Sequence, residues 1–129
     1  MRFVADTHAL WWYLRSPKRL TAAASAVFRL AETGNATIVV PAITVAEFYF
    51  LSVKLGQPFA PSDLLSALDS VSGIELSDLG RAQLARLDAF PEIPEMHDRL
   101  IAAESMALGV PVVTRDGTLL ASPRVETVW

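Results

Sequence analysis

Met1-Arg-Phe-Val-Ala-Asp-Thr-His-Ala-Leu10 opens the chain and contains its clearest strand signal. Arg2 to Ala5 is short, apolar and partly β-branched, which is typical of a buried strand, and Asp6 stands where that strand should end. A carboxylate at the end of a buried strand needs a reason, because charge is costly to remove from water. Three further acids stand at similar junctions, namely Glu47, Asp98 and Asp116.

Composition predicts one domain, residues 1–129, because 129 residues with 52% hydrophobic content can bury a substantial core. The absence of cysteine excludes a disulfide scaffold, a thiolate metal site and a cysteine nucleophile. Asp6 and His8 interrupt any apolar core of a signal peptide. The most apolar run, residues 36–46, is far shorter than the ~20 residues of a transmembrane helix. We therefore expect a soluble, cytoplasmic protein without membrane contact.

The net charge of −3 argues at first against a nucleic-acid partner. Without the four acids named above, however, ten acidic residues remain against 11 basic ones. A mildly basic surface can therefore surround an acidic pocket, although no dense Lys/Arg patch is visible.

Strand and helix signals alternate along the chain. The strand signals are unbroken apolar runs, which is typical of a parallel sheet covered by helices on both faces, and this predicts an α/β fold. Predicted strands cover residues 2–5, 36–40, 74–76, 110–114 and 125–128, and predicted helices begin near Thr7, Thr21, Thr44, Ser62, Asp78 and Met96.

The four acids should meet at one edge of this sheet. Ligands bind beyond the carboxyl ends of the strands in open parallel sheets, and Asp6 and Asp116 each follow a strand directly. Glu47 lies in the first turn of the helix after the second strand. Asp98 opens a helix that runs toward the start of the next strand, which places it at the same edge.

Each acid also has a structural explanation. Asp6 and Asp98 can be helix N-caps, Glu47 can complete a capping box with Thr44, and Asp116-Gly117 can be an ordinary turn. Four acids at one rim are nevertheless more than capping requires.

Carboxylates ~5 Å apart repel by roughly 3 kcal/mol per pair at an effective dielectric constant near 20, so such a cluster needs a cation or bound protons. Because histidine occurs only at positions 8 and 97 and cysteine is absent, the ligands are mainly hard oxygens. This donor set favours Mg²⁺ or Mn²⁺ over zinc or copper.

Four motifs follow one another along the chain: Phe3-Val-Ala-Asp6-Thr-His-Ala-Leu-Trp-Trp, Thr44-Val-Ala-Glu47, His97-Asp98-Arg99-Leu-Ile-Ala-Ala and Val112-Val-Thr114-Arg-Asp116. In their order and spacing, over essentially the whole chain, these motifs resemble those of PIN-domain ribonucleases, particularly VapC-type toxins.

This resemblance implies a three-layer α/β/α sandwich with a central, mostly parallel sheet and a Mg²⁺- or Mn²⁺-dependent endoribonuclease site. By motif match, Asp6, Glu47, Asp98 and Asp116 correspond to the acidic quartet, and Thr114 to an accompanying hydroxyl residue. The resemblance also implies a homodimer, an RNA substrate and a tightly bound antitoxin. One or two metal ions, and the acids that ligate them directly, remain open at this point.

Several other side chains are candidates for substrate contacts. Arg99 and Arg115 adjoin two of the acids and can hold substrate phosphate, or alternatively form salt bridges with neighbouring carboxylates. His97 can aid proton transfer or be an ordinary loop histidine. The aromatic run of residues 11–13 can stack on RNA bases, or divide between the core and a dimer or antitoxin interface.

Two other functions compete with the ribonuclease. One is a catalytically silent PIN-like module that binds or regulates a protein, with the acids kept for capping. The other is a phosphotransfer domain or phosphatase, which is disfavoured because Thr7 and His8 follow Asp6 in place of a DxD pattern, and no lysine follows Thr114.

Overall fold

The computed structural model describes all residues, 1–129. Helices and strands alternate through most of the chain, and two short 3₁₀ turns occupy Pro17–Arg19 and Leu87–Ala89. The elements are β1 (Arg2–Ala5), α1 (Thr7–Arg15), α2 (Ala22–Glu32), β2 (Thr37–Pro41), α3 (Ala42–Lys54), α4 (Pro61–Asp69), β3 (Ile74–Ser77), α5 (Arg81–Leu84), α6 (Met96–Leu108), β4 (Val112–Val113), α7 (Gly117–Ala121) and β5 (Thr127–Val128).

The five strands form one sheet in the order β3-β2-β1-β4-β5, and every neighbouring pair is parallel. β1 lies in the centre, where Val4 pairs with Val39 on one side and Val112 on the other. The predicted α/β class, with helices on both faces of a central parallel sheet, is confirmed. No helix has the length and apolarity needed to cross a bilayer.

Two hydrophobic cores cover the two faces of the sheet. Successive strand side chains point to opposite faces, so Val4 and Val39 belong to one core while Phe3 and Ile38 belong to the other. The first core includes Ile101 of α6. The second, larger core contains side chains of α1, α2, α3 and α4, namely Leu10, Trp11, Val27, Phe28, Phe48, Leu64 and Leu68. This double coverage explains the unbroken apolar runs of the strands.

The capping box predicted at Thr44 and Glu47 is wrong. Helix α3 begins directly after β2, and its N-cap is Pro41, which provides no side-chain cap. Thr44 is fully buried inside the helix, and its hydroxyl donates to the Ala5 carbonyl oxygen at 3.2 Å. The side chain therefore links α3 to the end of β1 and leaves Glu47 free of any capping role.

One buried acid of the fold has both carboxylate oxygens satisfied by hydrogen bonds from neutral side chains. Glu104 of α6 is 2% exposed. Its two oxygens accept from Ser77 Oγ at 2.7 Å and from Gln83 Nε2 at 2.6 Å, while Gln83 Oε1 accepts from the Gly80 amide at 2.9 Å. These hydrogen bonds hold the loop between β3 and α5 against helix α6.

Candidate functional site

All four predicted site acids lie on segments that meet at the carboxyl end of the sheet. Asp6 follows β1, Asp116 follows β4 and caps α7, and Glu47 lies in the second turn of α3, which starts where β2 ends. Asp98 lies in the first turn of α6, whose C-terminus leads back to β4.

Asp6 is 4% exposed and is held on both carboxylate oxygens. Oδ1 accepts the Ala9 amide at 2.7 Å, which makes Asp6 the N-cap of α1. Oδ2 accepts a short hydrogen bond from the Thr114 hydroxyl. Burial raises the pKa of Asp6, and these two hydrogen bonds oppose the rise. The capping explanation is therefore correct for Asp6, yet it accounts for only one of its two oxygens.

Thr114 joins the first and last acids of the site. Its side chain is fully buried, and its oxygen accepts the Asp116 amide at 2.9 Å while its hydroxyl donates to Asp6. Asp116 Oδ1 in turn accepts the amides of Thr118 and Leu119 at 2.9 and 3.3 Å. Asp116 therefore begins a short helix, where the sequence suggested a simple turn.

The carboxylate of Glu47 is positioned by a hydrogen bond from a residue of α1. Its Oε1 accepts the Thr7 hydroxyl at 2.8 Å, and its Oε2 lies 3.4 Å from His97 Nδ1. Burial raises the pKa of Glu47, while the Thr7 hydrogen bond and the charge of His97 lower it in part. A side chain adjacent to Asp6 in the sequence thus orients an acid from a different element.

Asp98 is half-buried, and the negative charge of each of the other predicted acids raises its pKa. Burial, followed by the negative charges of Asp116, Glu95, Glu47 and Asp6, raises the pKa of Asp98 to about 7. The suggestion that Asp98 is an N-cap is wrong, because Glu95 takes this role and accepts the Asp98 amide at 2.9 Å. The carboxylate of Asp98 is left free for another partner.

The sequence did not single out Glu95. Glu95, Glu47 and His97 offer three ligand atoms that lie within 4.8 Å of one another. His97 Nδ1 lies 2.5 Å from Glu95 Oε1, so this histidine is paired with an acid and is not a free loop residue. The position of Glu95, three residues before Asp98 at a helix start, is the sequence signal that could have identified it.

The donors around the four predicted acids are mainly carboxylate oxygens, and the one group of three ligand atoms within 4.8 Å of one another includes Glu47 but not Asp6, Asp98 or Asp116. No Arg or Lys forms a salt bridge with any of the four predicted acids, and the only basic side chain within 4 Å of their carboxylates is His97 beside Glu47. Burial is the main cause of the raised pKa values of Asp6, Glu47 and Asp98, and neighbouring negative charges add to the rise at each of them. Carboxylate oxygens suit Mg²⁺ or Mn²⁺.

The two predicted phosphate ligands are placed differently. Arg99 turns away from the acids, since its guanidinium donates to the carbonyl oxygens of Ile93 at 2.7 Å and Pro91 at 3.5 Å. Arg115 lies over the ring of Trp12, with its Cζ 5.5 Å from the ring centroid. The alternative that either arginine forms a salt bridge with a neighbouring carboxylate is wrong.

Two depressions adjoin the acids. The first, which we call the apolar groove, has a volume of about 550 Å³ and follows α3. The second, which we call the arginine recess, has a volume of about 310 Å³, and His8 lines both. The apolar groove is lined by Thr7, His8, Ile43, Ala46, Glu47, Phe50, Leu51, Lys54 and His97, and the arginine recess by Asp6, His8, Trp12, Arg19, Arg115 and Asp116.

The aromatic run of α1 belongs mainly to the core. Trp11 and Trp12 are 6% and 9% exposed, and the partly buried Tyr13 stacks on Phe28 at a centroid distance of 4.2 Å. The two tryptophan rings are therefore too deeply buried to serve as a platform for a base. The exposed aromatic side chain near the site is instead Phe50, which is 70% exposed in the apolar groove.

Solved structures similar to this chain support the fold. The structure of VapBC2 from Rickettsia felis bound to a promoter DNA fragment has 18% identity and a TM-score of 0.71, covering 98% of this chain and 97% of that one. FitAcB from Neisseria gonorrhoeae has 19% identity, a TM-score of 0.64 and coverage of 98% and 96%. A toxin-antitoxin complex from Klebsiella pneumoniae has 17% identity, a TM-score of 0.62 and coverage of 95% and 94%.

Sequence comparison gives the family directly. No curated protein matches the chain at a significant level. Residues 3–122, however, match the PIN domain, a domain whose members are in general nucleases. The resemblance found in the motifs is therefore confirmed, and this chain belongs to the PIN-domain family.

Proposed function

We propose that this protein is a Mg²⁺- or Mn²⁺-dependent endoribonuclease that acts in the cytoplasm as the toxin of a toxin–antitoxin pair, as a homodimer. The observation that carries the proposal is the group of four acids at the carboxyl end of the sheet. Three of them have raised pKa values, and none has an Arg or Lys partner. A silent binding module that uses its acids only for capping would leave Asp98 and Glu47 without a purpose.

In this proposal, Asp6, Asp98 and Asp116 hold the cation, and Glu47 holds it through water or orients the attacking water. Such a cation supplies charge neutralisation at the phosphate and lowers the pKa of the attacking water. Thr114 fixes the carboxylate of Asp6 and the backbone of Asp116, and Thr7 fixes Glu47. The acids are thus oriented by hydroxyl groups, which leave their negative charge intact for the cation.

Replacing Asp98 tests this site. We expect Asp98→Asn to lower RNA cleavage by at least about 100-fold, since it removes one charge from the cation site. We also expect millimolar Mg²⁺ or Mn²⁺ to raise the melting temperature of the wild type, and to raise it less in Asp98→Asn.

The matched control is Asp69→Asn, which removes an exposed acid at the end of α4. This variant should keep both cleavage and the response to Mg²⁺. Full cleavage by Asp98→Asn would remove that residue from the site. Absence of cleavage together with absence of any metal response in the wild type would favour the silent binding module.

We further propose that the antitoxin covers the apolar groove. One of the solved structures similar to this chain, from Klebsiella pneumoniae, is a toxin-antitoxin complex. The groove supplies an apolar surface around Phe50 and is continuous with the site through Glu47 and His97. A partner seated there would reach the acids directly, and its basic groups would meet their negative charge.

The test uses a small DNA-binding protein encoded beside the gene. Phe50→Ser should weaken its binding by at least about tenfold, because exposed aromatic anchors dominate interface energies. Val53→Ser is the control, since Val53 is also half-exposed on α3 but does not line the groove. Equal affinities of the two variants, measured by calorimetry, would place the partner elsewhere.

A further inference from the structure

The arginine recess contains two cations that the acids do not neutralise. Arg19 ends the 3₁₀ turn after α1, and Arg115 lies between Thr114 and Asp116. Both line the same depression as Asp6 and Asp116, yet neither makes a salt bridge or a side-chain hydrogen bond within the protein. Two guanidinium groups with all their donors available therefore stand beside the proposed catalytic acids.

Trp12 holds the two arginines together. Arg19 Cζ lies 4.9 Å and Arg115 Cζ 5.5 Å from the centroid of its ring, so the two charges are at most about 10 Å apart. Cation–π contacts stabilise each guanidinium but do not neutralise it. Two like charges about one Debye length apart repel each other weakly in salt solution, and an anion placed between them removes this repulsion.

We propose that Arg19 and Arg115 form a subsite for RNA backbone phosphates next to the cleaved bond, with Arg19 as the contact that the sequence motifs do not include. This inference rests on the proposed ribonuclease function and names the groups that bring its substrate to the site. The acids themselves repel RNA, so a flanking positive surface is needed to hold the polyanion near them. The two arginines supply bidentate donors that match phosphate oxygens.

The same geometry favours phosphate contacts over base contacts. Trp12 is 9% exposed and lies beneath the two arginines, so its ring supports them and offers no platform for a base. The apolar groove is a poor alternative for RNA, because its only Lys or Arg is Lys54 and it would desolvate phosphates against Ile43 and Phe50. The arginine recess should therefore add affinity with little preference for sequence.

The experiment measures RNA binding in the absence of cleavage. The full chain carrying Asp98→Asn is titrated against a fluorescein-labelled single-stranded RNA in MgCl₂, and anisotropy is recorded at several KCl concentrations. Adding Arg19→Gln should weaken binding about tenfold. It should also make the negative slope of log K against log salt less steep by about 0.7, the value for one phosphate contact on a single strand. Arg115→Gln should act similarly, and Arg19→Lys should restore the slope but only part of the affinity.

Arg29→Gln is the matched control, because Arg29 is exposed on α2 and its side chain forms its one hydrogen bond with Ser25. It should change neither the affinity nor the slope. Unchanged RNA binding in both Arg19→Gln and Arg115→Gln would overturn the proposal, and if these variants lost affinity for the antitoxin instead, the recess would belong to an acidic segment of that partner. Cleavage by the wild-type protein in either case keeps the proposed function intact. Absence of RNA binding by the Asp98→Asn chain, together with absence of cleavage by the wild type, overturns both proposals.

Discussion

Helix α6 carries two acids in very different surroundings. Glu104 is 2% exposed, and each of its oxygens accepts a hydrogen bond from a neutral donor, Ser77 or Gln83. Asp98, less than two turns earlier, is only half-buried, yet this burial, followed by the negative charges of Asp116, Glu95, Glu47 and Asp6, raises its pKa to about 7. The more deeply buried acid is thus the satisfied one. Burial alone does not mark a functional carboxylate; uncompensated charge does.

The largest stability effect should come from the satisfied acid. We expect Glu104→Ala to lower the free energy of unfolding by about 3 kcal/mol, because it leaves Ser77 and Gln83 without an acceptor and opens a cavity. Urea unfolding measures this change. Glu104→Gln should cost less, since it keeps the volume and one acceptor oxygen. If a folded Glu104→Gln protein no longer gained melting temperature from Mg²⁺, Glu104 would take part in the metal site, and the contrast with Asp98 would be wrong.

Replacing Thr114 should change stability by an intermediate amount. The Thr114 hydroxyl donates to Asp6 in the site, as the Ser77 hydroxyl donates to Glu104 in the core. Thr114→Val removes the donor to Asp6 and the acceptor of the Asp116 amide, so we expect a loss of about 2 kcal/mol of unfolding free energy. RNA cleavage should fall about tenfold or more through misplacement of Asp6. Thr114→Ser should restore both. A serine variant that stays as impaired as valine would show that the methyl group, and not the hydroxyl, matters.

The smallest effect should be a gain in stability, and it depends on pH. The pKa of Asp98 is raised in the folded protein to about 7, so between its unfolded value near 4 and pH 7 the folded state binds more protons. In EDTA, the wild type should therefore lose stability as pH rises through this range. Asp98→Asn should remove most of that loss and be more stable than wild type at pH 8, by no more than about 1 kcal/mol because solvent screens a half-exposed group.

Thermal melts of both proteins in EDTA at pH 5 and pH 8 measure this difference. Adding Mg²⁺ at pH 8 should restore the wild type selectively. Equal pH profiles for the two proteins would mean that the neighbouring acids do not destabilise the charged form of Asp98.

Sequence patterns predicted most of what is local. The apolar runs around Val4, Val39 and Val112 gave the parallel sheet, since each strand is covered on both faces. The predicted start of α3 was wrong, because the fixed φ of Pro41 lets the helix begin at Ala42, immediately after β2 and two residues before Thr44. As a result, Thr44 is not the N-cap of α3 but a buried residue of the helix, and its hydroxyl donates to the Ala5 carbonyl oxygen.

Contacts between distant residues could not be predicted in the same way. Glu104 finds its partners on β3 and α5, and Arg19 approaches Asp6 only because the 3₁₀ turn after α1 folds back over Trp12. Neither placement leaves a periodic signal in the sequence. Glu95 was overlooked for another reason, because an acid at a helix start has an ordinary capping use that conceals a second one.

The hydrogen bond between Thr114 and Asp6 joins residues 108 positions apart in the sequence, so the two are synthesised at different times. At about 5–20 residues per second, the ribosome adds Thr114 roughly 5–20 s after Asp6. Throughout that interval the nascent polypeptide has a first acid without its hydroxyl partner and a β1 edge without β4. A nuclease assembled in this order would stay inert beside its own messenger until residue 116 has emerged from the translation machinery.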